Sequence, residues 1–267
     1  MGGVGAVSGV GGVGGVDKVD GIDGLGSGDS GMEDLSGLLG RVVGRGFRAA
    51  VDEISPPGSL RWSLLTDLPL LALLSGYGTL YSGQLNSPIT SQFIEGLPVD
   101  ICAGWAKPGF MMVHIRDHHE VPTPDGPEVP LDTGGWHETP MLVAGVLRRQ
   151  RLIERTGDEI WAMFRDSYAR ADASVSVLHE YTVSATVERI KTVDHVEEER
   201  IESCVAIPRV LPWAECPQAA ASAGRLVGQR VVDVGRLVRE DFAGTSTCTH
   251  LNDLLSSLAQ ADALRLD

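Results

Sequence analysis

The stretch Val175-Ser-Val-Leu-His-Glu-Tyr-Thr-Val-Ser-Ala-Thr-Val187 decides the fold class of this chain. Most of its apolar residues recur at every second position, which is the period of a β-strand with one buried face. His179 falls on that same apolar face. The pattern therefore predicts a half-buried strand that carries a histidine into the core.

Further strands flank this stretch and helices follow it. Residues Ile160 to Tyr168 predict a preceding strand, and a turn near Lys191 leads to a third strand that ends at Ile207. Helical spacing of apolar residues then predicts three helices, over residues 218–228, 231–242 and 250–261. The fold class expected is α+β, with a short antiparallel sheet followed by helices.

The composition is that of an acidic protein with enough apolar residues to form a core. Its 267 residues are 43% hydrophobic and carry a formal net charge of −14. An acidic chain repels DNA and anionic membranes on average, and no window reaches the roughly 18 apolar residues of a membrane span. The N-terminus lacks the basic region of a signal peptide, and four cysteines suit a reducing compartment. We therefore expect a cytoplasmic protein with no nucleic-acid or membrane partner.

Composition divides the chain into four segments. Residues 1–31 are dominated by glycine and valine and predict a disordered tail. Residues 106–144 are rich in proline, glycine, histidine and aspartate and predict a linker or long loop. The segments on either side, residues 32–105 and 145–267, are expected to be two copies of one unit.

The two expected copies differ where chemistry is expected. When Asp67 is aligned with Asp253, Trp62 occupies the place of Cys248. The first copy is therefore predicted to be degenerate, and the second to carry the site.

Cys248 and His250, at the start of the last predicted helix, are the principal candidate site. The unpaired N–H groups and positive dipole at a helix start lower the pKa of a nearby thiol. Cys248 is thus a candidate catalytic nucleophile with His250 as its base, or both residues are metal ligands.

Two further residues extend this pair into a candidate metal set. Cys216 also immediately precedes a predicted helix, and His179 lies on the core face of its strand. Two thiols and two imidazoles suit zinc or iron, although their spacing is not that of a zinc finger. The candidate ligands are therefore His179, Cys216, Cys248 and His250.

Three motifs resemble those of an uncharacterised bacterial family known only as a domain of unknown function. They are His179-Glu-Tyr-Thr-Val183, Pro208-Arg-Val-Leu-Pro-Trp-Ala-Glu-Cys-Pro217 and Thr247-Cys-Thr-His-Leu-Asn-Asp253. The resemblance covers about residues 35–267. It implies no activity.

The order of elements is also similar to that of iron–sulfur scaffold and sulfur-acceptor proteins, in which a three-stranded antiparallel sheet is followed by helices. In that group one cysteine precedes an Ala/Ser-rich helix, as Cys216 does, and another opens a late helix, as Cys248 does. This likeness implies a sulfur carrier in which Cys248 accepts persulfide.

Three functions stay open on the sequence. The first is a metal-binding or thiol-dependent enzyme that acts on a small-molecule ligand, with zinc or iron as its cofactor. The second is a sulfur or iron–sulfur carrier. The third is a non-enzymatic protein in which a Cys/His set holds a structural metal.

Overall fold

An antiparallel meander of four strands forms the sheet in this computed structural model, which describes residues 35–81, 94–124 and 142–265 except 45, 58, 98, 173, 192 and 194–196. The strands pair in chain order and are β1 (Leu147–Thr156), β2 (Glu159–Ala169), β3 (Val175–Lys191) and β4 (Glu197–Val210). The predicted tail over residues 1–31 lies outside the described residues. The α+β class and the antiparallel sheet followed by helices are confirmed.

Helices both precede and follow the sheet in the described residues. The α-helices are α1 (Phe47–Ile54), α2 (Leu60–Tyr81), α3 (Phe110–His118), α4 (Val234–Asp241) and α5 (Thr249–Ser257). Short 3-10 helices span Ser36–Leu38, Ala103–Trp105, Cys216–Leu226, Val231–Asp233 and Leu258–Leu264. No helix in the described ranges has the length and apolar character needed to cross a membrane.

The main core lies between one face of the sheet and the helices that follow it. The alternating apolar residues of β3 meet the apolar face of α5, and each fully buried leucine or valine contributes about 1.5–3 kcal/mol. Fully buried members of this core include Tyr181, Val183, Leu251, Leu254 and Leu255. The apolar residues at every second position of β3 and those at helical spacing in α5 thus form opposite sides of one core.

A β-bulge in β3 buries two consecutive side chains. Asp166 of β2 is opposite His179, but the next residue, Ser167, is opposite Val177, so Leu178 is the extra residue of the bulge. Leu178 and His179 are 1% and 3% exposed. The bulge therefore packs Leu178 with Leu74 of α2 and Tyr168, while His179 keeps the core face that the alternation predicts.

The predicted internal repeat is not confirmed. The described part of residues 32–105 contains helices and no strand, and the sheet lies within residues 147–210. Helix α3 lies inside the segment 106–144 that was predicted as a linker or long loop. The repeat and the boundaries of its copies therefore stay predictions.

Candidate metal centre

A row of three polar side chains crosses the buried face of the sheet. Arg149 of β1 is opposite Asp166 of β2, which is opposite His179 of β3. Helix α5 places His250 against this row, because the imidazoles of His179 and His250 stack with ring centroids 3.6 Å apart and planes inclined by 15°. Three neighbouring strands and one helix thus each contribute one polar group to the same buried place.

Asp166, His179 and His250 form a group that could hold a metal ion. One ligand atom from each lies within 4.8 Å of the other two, and the residues are 0%, 3% and 7% exposed. Within the described ranges, no other group of three or more His, Cys, Asp or Glu residues meets this distance. Two imidazoles and one carboxylate are a ligand set of catalytic zinc and of non-heme iron(II).

Both imidazoles are held neutral, which is the form that binds a metal. Burial, and then the charge of Arg149, lower the pKa of His179 to about 3. Burial, and then His179 and Arg149, lower the pKa of His250 well below its ordinary value. The buried Nε2 of His250 has no hydrogen-bond partner among the described residues, which costs about 1–3 kcal/mol. A metal bound to this nitrogen would remove that cost.

The stacking of the two rings sets a condition on coordination. A metal lies in the plane of the imidazole that binds it, so two nitrogens on one tetrahedral zinc ion are about 3.4 Å apart and their rings converge on it. The nearly parallel rings of His179 and His250 do not converge on one point. One ring would therefore have to turn about its Cβ–Cγ bond for both to bind one metal ion, and this torsion has no strong intrinsic preference.

Arg149 holds the carboxylate of the set in place. Its Nε and Nη2 donate to the two oxygens of Asp166 at 2.7 and 2.8 Å, and its Nη1 donates to Asp253 at 3.1 Å. Burial raises the pKa of Asp166, and the hydrogen bonds and charge of Arg149 oppose that shift. If one carboxylate oxygen of Asp166 bound a metal, the other could still accept a hydrogen bond from Arg149. Hydrogen bonds of this kind orient the ligands of many metal sites.

Cys248 is the N-cap residue of α5, and its Sγ lies 3.9 Å from Nδ1 of His250. The expected lowering of its pKa is nevertheless wrong. Burial raises the pKa of the Cys248 thiol to about 11, although the backbone N–H groups of Leu251 and His250 act in the opposite direction. Loss of hydration outweighs the helix start because the side chain is 3% exposed.

The two cysteines of the predicted ligand set lie outside the group formed by the two histidines with Asp166. Cys216 packs in a second core with Met111 and Trp213. A Cβ at Gly104 would lie 2.8 Å from its Sγ, so the backbone of the 3-10 helix Ala103–Trp105 covers that sulfur closely. Burial raises the pKa of the Cys216 thiol to about 12.

Asp166 and Arg149 escape prediction from the sequence. A signal for Asp166 was present, because it follows Ile160, Ala162 and Phe164 at every second position and so falls on the apolar face of its strand. Arg149 lies in β1, where charged residues are so frequent that no alternation of apolar and polar residues can be recognised in the sequence. The pairing of the two residues is visible only when the strand register is known.

The buried thiols give a direct prediction. All four cysteines are buried and unbridged, and only a thiolate reacts quickly with disulfide reagents. Ellman's reagent at about pH 8 is therefore expected to modify none of them within minutes in the native protein, whereas all should react in denaturant. Rapid native modification that disappears in Cys248→Ser would contradict this and favour the nucleophile.

Residues 147–263 match a protein family described as "Protein of unknown function (DUF2889)". This segment contains all four strands and all three members of the Asp166, His179 and His250 group. No curated protein and no solved structure matches the chain, so the likeness to iron–sulfur scaffold proteins is not shown.

Proposed function

We propose that this protein binds one zinc or iron(II) ion through Asp166, His179 and His250. The observation that carries the proposal is the approach of their ligand atoms to within 4.8 Å of one another on a buried face. Two neutral imidazoles with one carboxylate favour these metals over magnesium and calcium, which prefer oxygen ligands.

The number of ligands favours an enzyme over a structural metal site. Structural zinc is held by four protein ligands, whereas three leave a position open for water or substrate. A metal there would polarise a carbonyl group or lower the pKa of bound water. We therefore favour a metal-dependent hydrolase or lyase that acts on a small molecule.

A thiol enzyme is the second candidate, because the Sγ of Cys248 lies 3.9 Å from Nδ1 of His250. In that function His250 would take the proton of Cys248 before the thiolate attacks substrate. The burial that raises the pKa of Cys248 to about 11 opposes it. It also opposes the carrier function, which needs a reactive thiolate at the same residue.

Metal analysis of single-residue variants tests the proposal. The full chain is purified without oxygen, incubated with zinc or iron(II), desalted and analysed for metal. We expect about one ion per chain in the wild type and at least a tenfold loss of metal affinity in His179→Gln and His250→Gln. Cys216→Ser and Cys248→Ser are expected to retain the ion, because neither sulfur belongs to the group.

A matched control is His118→Gln, which removes an exposed histidine of α3. It is expected to leave the metal content unchanged. Loss of metal in the two cysteine variants, with retention in the histidine variants, would show that the cysteines bind the metal and that the proposed ligands are wrong. Absence of bound metal in folded wild-type protein would reject the proposal and leave the thiol candidate.

A further inference from the structure

A cavity separate from the candidate metal centre lies among helices α1, α2, α4 and α5. Its volume is about 580 Å³, within the range of about 300–1,000 Å³ that small-molecule sites occupy. Thr249, Asn252 and Asp253 of α5 line it, while His250 of the same helix stacks on His179 of the sheet. The helix thus contributes residues to both places.

The walls of the cavity combine apolar surface with a few polar groups. Leu70 of α2 and Val238 of α4 are buried, and Phe242 follows α4 on the same wall. Trp62 of α2 also lines the cavity, and its Nε1 donates to Asp52 of α1 at 2.6 Å. Such walls suit a ligand with a flat apolar body.

Two of the three arginines that line the cavity have carboxylate partners. Arg48 donates to Asp253 at 2.7 Å, and Arg151 donates to Asp67. Their positive charges are therefore already matched by neighbouring aspartates. They leave little attraction for a further anion.

Arg239 of α4 is different. Its guanidinium lies 5.1 Å from the centre of the Trp62 ring, and no described carboxylate or carbonyl accepts a hydrogen bond from it. A guanidinium has five N–H donors in a planar fork that matches a carboxylate. The guanidinium of Arg239, which lies beside an aromatic ring and an apolar wall, can therefore bind a ligand that carries one negative charge.

The aspartates around the cavity limit the charge of that ligand. Asp52, Asp67 and Asp253 all line it, so a doubly charged phosphate would meet three carboxylates and one unpaired arginine. A singly charged carboxylate makes the same bidentate contact with less repulsion. We infer that this cavity binds a small organic carboxylate with a flat apolar body, its carboxylate on Arg239 and its body beside Trp62.

This inference is independent of the metal, and a matched pair of probes tests it. Naphthylacetate carries a carboxylate on a flat apolar body, and naphthylacetamide is its neutral counterpart. Calorimetric titration of the full chain is expected to show binding of naphthylacetate at least about tenfold tighter than that of naphthylacetamide, since a hydrogen bond to a charged group contributes this much.

Two arginine variants of α4 locate the contact. Arg239→Gln is expected to weaken naphthylacetate binding about tenfold and to leave naphthylacetamide unaffected. Arg236→Gln is the control, because Arg236 pairs with Glu240 at 2.7 Å and does not line the cavity. Circular dichroism checks that both variants are folded.

Several results would overturn the inference. They are equal binding of the two probes, equal loss in the two arginine variants, and no binding of naphthylacetate at millimolar concentration to folded wild-type protein. His250→Gln is expected to bind naphthylacetate normally, so loss of metal and loss of this ligand are measured separately.

Discussion

Replacing Arg149 by methionine is expected to destabilise the protein by about 3–5 kcal/mol, because it leaves a buried carboxylate without its cation. Asp166 is 0% exposed and accepts two hydrogen bonds from Arg149. The same guanidinium contacts Asp253 at 3.1 Å and lies 3.8 Å from Asp67. Urea unfolding of Arg149→Met beside the wild type measures the loss.

Arg165→Met is the matched control for this prediction. Arg165 lies on β2 and pairs with Glu180 of β3 at 2.7 Å, but both side chains are partly exposed, at 27% and 14%. Removing a partly exposed pair is expected to cost about 1 kcal/mol or less. Equal losses in the two variants would show that the burial of the Arg149 pair is energetically unimportant.

Acid is expected to destabilise the metal-free protein steeply below about pH 6.5, the ordinary pKa of histidine. The folded-state pKa of His179 is lowered to about 3, and that of His250 is also well below its ordinary value. As the pH falls through 6.5, the unfolded chain gains protons that the folded chain does not. The free energy of unfolding therefore decreases until the pH reaches the folded-state pKa values of the histidines. Each histidine contributes about 1.4 kcal/mol per pH unit in this window.

Urea unfolding of chelator-treated protein between about pH 7 and pH 4.5 measures this slope. His250→Gln removes one titrating group and is expected to reduce the slope by about half, whereas His118→Gln, at an exposed position, should leave it unchanged. The raised pKa values of Asp166 and Asp253 act in the opposite sense, from those raised values down to the ordinary carboxylate pKa of about 4, so they offset part of the slope that the histidines produce. An unchanged slope in His250→Gln would mean that His250 is protonated in the fold.

The sequence predicts the strand that carries His179 and the helix that carries His250, because alternation and helical spacing fix which face of an element is apolar. It also places Cys248 at the start of α5, where the structure has it. These are local properties, and a single element is enough to reveal them.

The remainder of the candidate site depends on how separate elements meet. The pairing of Arg149 with Asp166 follows from the register between β1 and β2, and the stacking of His250 on His179 follows from the packing of α5 on the sheet. The high pKa of Cys248 follows from complete burial, which no local pattern reveals. The sequence therefore named His179 and His250, two of the three residues that we propose as ligands, and missed Asp166.

Charged residues explain why β1 was missed. Its sequence LRRQRLIERT has five charged residues among ten, which is typical of an exposed segment. In the structure Arg149 and Arg155 point to buried acids, because Arg155 pairs with Glu199 as Arg149 pairs with Asp166. The arginines that make this strand look exposed in the sequence are therefore the residues that pair it with buried carboxylates.

X-ray absorption at the zinc edge of zinc-loaded protein tests the central claim most directly, because it reports the atoms bound to the metal. We expect one zinc ion with only nitrogen and oxygen neighbours at about 2.0–2.1 Å. A sulfur neighbour at about 2.3 Å would contradict this, since that distance would place on the metal a cysteine such as Cys248, whose Sγ lies 3.9 Å from Nδ1 of His250.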